Sequence, residues 1–300
     1  MFAILNLEIG GVNLAVSSLE PIILHEPPAA YTSFLIKNSS FHDKINITIN
    51  FDLDSLPRTD KMTRVFDTGE SWSLFQNDDS YFIILCPPAS DKKPVWAAQF
   101  DRDVTKVNLF LGEKFIHQKN GNLSVSNPVS YPLDQILLMY FLARKSGALI
   151  HSSGVASNGK GFIFPGRSGS GKTTLSQELS DGKRLLLLSD DRVIVRKLNN
   201  TFEVFGTPWA GEGGIALNKH FPLSGMFFIS HAEHNRIEDI KPQKALEMLL
   251  PVTSIPWYDP EVMDKVLHFC DDLTSSIPAY NLSFKPGVEV ADVFEKFISI

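Results

Sequence analysis

Eight residues, Gly166-Arg167-Ser168-Gly169-Ser170-Gly171-Lys172-Thr173, fit in full the phosphate-loop pattern GxxxxGK followed by Ser or Thr, and Thr174 follows them. Glycines at 166, 169 and 171 can take backbone angles closed to other residues, so successive N–H groups can turn inward around an anion. A helix starting near Lys172 aims the positive end of its dipole at the same anion. Lys172 supplies a mobile cation for the β- and γ-phosphate oxygens of ATP or another nucleotide or phosphate donor. Thr173 supplies a hydroxyl for Mg²⁺. The chemistry expected of this stretch is the binding of a phosphate chain.

A second group follows four consecutive leucines, Leu185 to Leu188, and reads Ser189-Asp190-Asp191-Arg192. An apolar run of this kind suits a strand buried on both faces. Carboxylates at its C-terminal end lie on the sheet edge where P-loop proteins hold their ligand. Asp190 is placed to help hold Mg²⁺, and Asp191 to take the proton of an attacking hydroxyl. Like charge so close tends to raise one of two carboxylate pKa values, and the order within the pair can be reversed. Glu212, in the glycine-rich segment 206–214, reads as a residue reaching the metal or the acceptor, or as part of a surface loop. Arg236 reads as a binder of transition-state charge or of the acceptor's carboxylate, or as one half of a surface ion pair. His231, Glu233 and His234 lack a third ligand at helical spacing and read as a solvated turn.

These residues need a strand, a loop and a helix in the right order, and the local pattern supplies them. Phe162, Ile163 and Phe164 form an apolar run before the loop, and Leu175 and Leu179 mark a helix after it. His151 stands at the end of a short strand before the Asn158-Gly159 turn. Further strands are expected at 202–205, 225–230 and 280–284, and helices at 134–145, 242–250, 261–275 and 288–298. Before residue 112 the pattern alternates with period two. It predicts strands at 2–9, 12–16, 31–37, 44–51, 62–67, 71–75, 81–86, 95–101 and 105–111, the first two joined as a hairpin at Gly10-Gly11. Pro27-Pro28 and Pro87-Pro88 punctuate them, and the polar segment His117 to Pro132 reads as a boundary loop. The expected organisation is an all-β N-terminal domain, residues 1–130, before an α/β P-loop domain, residues 131–300. His25, His42 and His117 have no ligand partners at useful spacing, so the first domain is assigned no chemistry.

The 300 residues suffice for two domains. A net charge of −6 gives no basic face for nucleic acid. No apolar run is long enough to span a bilayer, and the start lacks a basic leader, so neither a membrane nor a secretory route is expected. Cys86 and Cys270 stand far apart without metal-ligand spacing and read as core thiols of a cytoplasmic protein.

His151, the run GRSGSGKTTLS and the run LLSDDRVIV together resemble the C-terminal catalytic domain of HPr kinase/phosphorylase and its relatives, a branch of P-loop proteins similar to ATP-dependent phosphoenolpyruvate carboxykinase. The resemblance spans residues 131–300. It implies an HPr kinase/phosphoenolpyruvate carboxykinase-like fold and ATP with Mg²⁺ on Gly166 to Thr174. It also implies metal binding and hydroxyl activation by Asp190 and Asp191, with His151 lining the site. The late Pro-Gly-Arg-Asn-type loop of that family has no counterpart, and the region reads HNRIEDIKPQKALEMLLP. That segment resembles divergent HPr-kinase-like proteins, including some attached to peptide-modifying pathways. The resemblance therefore implies a serine kinase acting on a peptide, a protein or a small-molecule hydroxyl such as free serine, rather than on HPr. A non-catalytic nucleotide sensor is the alternative, and assembly into homo-oligomers is left open.

Overall fold

The computed structural model describes the chain except residues 26, 38, 40, 70, 86–93, 120, 121, 168, 170, 182–184, 288 and 300, and except the side chains of residues 54, 114, 118, 119, 122, 123, 173, 176, 177, 180 and 181. Ser168, Ser170, Cys86, Pro87-Pro88, Arg184 and Val288 lie outside the described residues, as does the Thr173 side chain. The fold is mixed α/β with several sheets, and the chain divides into two compact units, Met1–Phe141 and Leu142–Ile300.

The first unit carries strands β1 (Phe2–Ile9), β2 (Val12–Ser18), β3 (Ile23–Leu24), β4 (Lys44–Asn50), β5 (Thr63–Asp67), β6 (Trp72–Gln76), β7 (Ser80–Leu85), β8 (Trp96–Asp101), β9 (Lys106–Leu111), β10 (Ile116–Lys119) and β11 (Asn122–Val125). Eight of them form one sheet in the order β1-β2-β4-β9-β8-β7-β6-β5. Gly10 and Gly11, at φ 62° and 68°, turn the β1–β2 hairpin, as two-residue loops of that backbone type do. Alternation then buries one face: Ile45, Ile47 and Ile49 of β4 are all but inaccessible.

Two expectations fail here. In place of the start of the strand expected at 31–37, residues 29–34 form a 3₁₀ helix, because Tyr31 and Phe34 are both buried at a spacing of three, which eclipses on a 3₁₀ turn and alternates on a strand. The polar segment after His117 is not a plain loop. It contains β10 and β11, which pair with each other, and β11 pairs with β3 as well, so long-range pairing overrides the local polar signal. His25 and His117 also come together there, with ring centroids 5.5 Å apart.

Helix α1 (Leu133–Arg144) precedes the second set of strands, β12 (Gly147–Ser157), β13 (Lys160–Pro165), β14 (Leu186–Ser189), β15 (Arg192–Leu198), β16 (Thr201–Phe205), β17 (His220–His231), β18 (Arg236–Ile240) and β19 (Ala279–Phe284). Helices α2 (Lys172–Asp181), α3 (Pro242–Leu249), α4 (Pro260–Ser276) and α5 (Glu289–Ile298) pack among them. Strands β12 and β17 are long because each serves several partners. The first residues of β12 pair with β15, and its last ones with β13 and β14. Strand β17 pairs in turn with β16, β13 and β19. The pairing of β13 with β17 closes a circuit through β12, β15 and β16. Gly161 stands at that closure, and a Cβ there would meet Val204 Cγ1 at 2.4 Å.

Beside this circuit, Phe162, Phe164, Phe227 and Phe294 form a buried ring cluster with Leu175 and Leu179 of α2. Each such ring stabilises the unit by roughly 1.5–3 kcal/mol on burial. The cluster fixes α2 beneath the loop that precedes it. Cys270 is a free, buried thiol whose pKa burial pushes up to about 11. No helix among the described residues is long and apolar enough to cross a membrane.

Candidate functional site

The site sits where β12 changes partners. His151 is the last residue of β12 paired with β15, opposite Arg192, and Ser152 is the first paired with β13, opposite Pro165. The end of β13 therefore arrives beside His151, and Gly166 N–H donates to the His151 carbonyl at 3.2 Å. Strands β13 and β14 flank β12, both antiparallel to it, so their C-terminal ends emerge on the same edge. This brings the loop after β13 and the carboxylates after β14 to one place.

Within the loop, positive φ falls on Gly169 (79°) and Gly171 (93°). Leu175 N–H reaches the Gly171 carbonyl at 2.9 Å, the first helical bond of α2. Lys172 is only 5% exposed, and its Nζ donates to the carbonyls of Gly166 and Arg167 at 2.7 and 2.8 Å. The ammonium thus closes the loop upon itself. Burial holds the Lys172 pKa below its ordinary value; Asp191 opposes the shift and Arg192 adds to it.

The two carboxylates have different surroundings. Asp190 is 3% exposed, and its Oδ1 accepts from Gly211 N–H at 2.9 Å. Its Oδ2 is buried without a hydrogen-bond partner. Asp191 is about a third exposed; its Oδ1 lies 2.9 Å from His151 Nε2 and its Oδ2 3.4 Å from Arg192 Nε. The hydrogen bond from His151 holds the Asp191 pKa below the ordinary carboxylate value, against burial and with help from the charges of His151, Arg192 and Lys172. The expectation that like charge raises a pKa within the pair fails for Asp191, because the His151 hydrogen bond and the charges of His151, Arg192 and Lys172 outweigh the effect of burial. The strand leading there departs from its expected burial as well. Leu188 is inaccessible but Leu186 is exposed: β14 pairs with β12, and its second bridge, from Ser189 to Ala216, lies at the far end from Leu186.

Ser152 and Ser153, both inaccessible, hold the backbone of this pair: Ser152 N–H donates to the Asp191 carbonyl and Ser153 Oγ to that of Asp190. Sequence reasoning passed over them, although two small hydroxyl residues directly after His151 were the available signal. The glycine-rich segment is also tied to the site. Besides the Gly211 bond, Thr207 Oγ1 donates to the Arg192 carbonyl at 2.6 Å.

A cavity of about 470 Å³ joins these parts. Gly169, Gly171, Lys172 and Thr174 line it from the loop and α2, His151, Asp190 and Asp191 from the sheet edge, and Gly211 and Glu212 from the glycine-rich segment. Its size lies within the range of small-molecule sites. Arg167 is exposed, and Gly166 lies at the loop's start without lining the cavity.

Arg236 is not brought to this cavity. Its side chain is 71% exposed and pairs with Glu238 at 2.8 Å, the surface ion pair of the two readings. His231 lines the cavity, contrary to the reading of its segment as a solvated turn. The register that places it there is set by β19, far along the chain. Among the described residues no three His, Cys, Asp or Glu side chains gather to hold a metal ion. A divalent cation here would take Asp190 together with oxygens of a bound phosphate chain and water. The orphaned Oδ2 of Asp190 fits that need.

No family model matches the chain, and no curated protein matches it. Solved structures that match it include the Hpr(Ser) kinase/phosphatase from Coxiella burnetii, with 14% sequence identity and a TM-score of 0.32 over 50% of this chain and 88% of that one. A likeness that loose carries none of the functional argument, which rests on the cavity.

Proposed function

We propose that Leu142–Ile300 holds a nucleoside triphosphate, with ATP the expected donor, on the loop Gly166 to Thr174 and transfers its terminal phosphoryl group to a hydroxyl, most simply serine in a peptide, a protein or the free amino acid. One observation carries this reading: the loop lysine Lys172 and the group His151, Asp190 and Asp191 line a single cavity. A site that only stored phosphate would need the first and not the second.

Each residue then has a task. The loop amides and the N-terminus of α2 cradle the phosphate chain. Lys172 leaves the carbonyls of Gly166 and Arg167 to bridge phosphate oxygens, an exchange its three donors allow. Asp190, almost wholly enclosed, and the Thr173 hydroxyl would hold Mg²⁺, which neutralises phosphate charge when bound. Asp191 is the more accessible carboxylate, so it faces the incoming hydroxyl and accepts its proton. Its depressed pKa keeps it ionised at neutral pH, while His151 orients it. The loose transition state of phosphoryl transfer asks more for alignment than for a strong base.

The test is transfer from γ-labelled ATP with Mg²⁺ to free serine, to a serine-peptide library and to an extract of source cells. Label in one acceptor pool, lost in Lys172→Ala, is the expected result and names the acceptor class. ATP bound tightly with no label in any pool would overturn the kinase reading in favour of a nucleotide sensor.

A further inference from the structure

The phosphate loop runs between two imidazoles. It begins at the His151 carbonyl and ends against His231: a Cβ on Gly171 would lie 3.0 Å from His231 Cε1 and 3.2 Å from its Nε2. Only a residue without a side chain lets that ring lie against the backbone. His231 is the last residue of β17, which runs parallel to β13 and so ends on the same edge as the loop. Strand β19, also parallel to β17, sets Phe284 opposite it in register. The two rings are 5.1 Å apart and tilted by 38°, and Phe284 is inaccessible. One side of the imidazole is therefore backed by a core ring, while the residue itself is exposed and lines the cavity.

This arrangement suits a flat ligand. The reacting end of the phosphate chain belongs with Asp190, Asp191 and His151, and His151 is occupied by Asp191. The remainder of the donor must leave the loop past Gly171 and Thr174, where His231 supplies an aromatic face held in place from behind. Stacking on such a face is tolerant of base identity, because every base has a π-face. It distinguishes a nucleotide from a bare polyphosphate.

We infer that His231 is the stacking platform for the nucleobase of the donor, and hence that the site takes a nucleotide rather than pyrophosphate or another inorganic polyphosphate. This rests on the nucleotide-binding reading of the cavity. The experiment is isothermal titration of the full chain with ATP and, separately, with inorganic tripolyphosphate, using wild type, His231→Ala, His231→Phe and Lys172→Ala. His231→Ala weakens ATP about tenfold, a loss within the range of one base–aromatic stack. It leaves tripolyphosphate unchanged, and His231→Phe restores ATP affinity. Equal loss for both ligands would put His231 on the phosphates and overturn the inference, as would no loss for either. A wild type that binds neither ligand, or a Lys172→Ala that binds both as well as wild type does, would instead overturn the nucleotide-binding reading, and the inference with it.

Discussion

Gly213 gives the sharpest test of how the glycine-rich segment meets the carboxylates. A Cβ on Gly213 would stand 2.6 Å from Asp190 Oδ2 and 3.3 Å from its Cγ. To reach ordinary contact at 3.4 Å, oxygen and Cβ must part by about 0.8 Å, which is 3.4 minus 2.6. Asp190 is 3% exposed and lines the cavity, so either its carboxylate turns toward the cavity or the segment withdraws. Either movement breaks the 2.9 Å bond from Gly211 N–H to Asp190 Oδ1. A hydrogen bond to a charged group contributes about 1.5–3 kcal/mol, so Gly213→Ala should lower the unfolding free energy by about that amount. Backbone strain adds nothing, because Gly213 is not among the positive-φ glycines. The assay is urea unfolding of wild type, Gly213→Ala, Asp190→Ala and the double variant, read as a double-mutant cycle. Gly213→Ala should cost almost nothing in the Asp190→Ala background. Neighbouring Gly214, at φ +68° with nothing within 4 Å of its Cβ, is the control. Its Ala variant incurs only backbone strain of about 1–2 kcal/mol, the same in both backgrounds. If Gly213→Ala costs as much in the Asp190→Ala background as it does beside the carboxylate, the reasoning is wrong.

Two further outcomes can be checked together. Ionised Asp191, with its pKa depressed chiefly by His151, contributes stability that is fully present above the ordinary value of 3.8 and is lost as pH falls through the lowered one. The gap in urea stability between wild type and His151→Ala should therefore be open at about pH 6 and narrow as pH falls from 3.8 through the lowered value, whereas a gap of constant size would refute the pairing. Arg236→Ala removes only an exposed ion pair, so its urea midpoint should correspond to a change within about 0.5 kcal/mol and its phosphoryl transfer should match wild type. Loss of transfer in that variant would return Arg236 to the site.

The sequence alone marked Gly166 to Thr173 as a candidate phosphate loop, because that signal is contiguous: its glycines, lysine and flanking apolar runs all lie between Phe162 and Leu179. Asp190 and Asp191 were legible for the same reason, standing directly after an apolar run that had to be a strand. Most strands of the first unit could be read from their period-two alternation, which follows from the pleat. Local pattern misread residues 29–34 and the stretch after His117, where burial and distant pairing decided the backbone. Only the tertiary structure gave each carboxylate its partners. His151 is 40 positions from Asp191, and Gly211 is 21 from Asp190. Their meeting depends on β12 exchanging β15 for β13 at one residue. The contrast between His231 and Arg236 has the same origin. Both are polar residues near one turn, yet the register of β17 against β19 places the first over Gly171, while Arg236 pairs with Glu238 at the surface. Register between strands is set by packing over the whole sheet, and no window of neighbouring residues contains it.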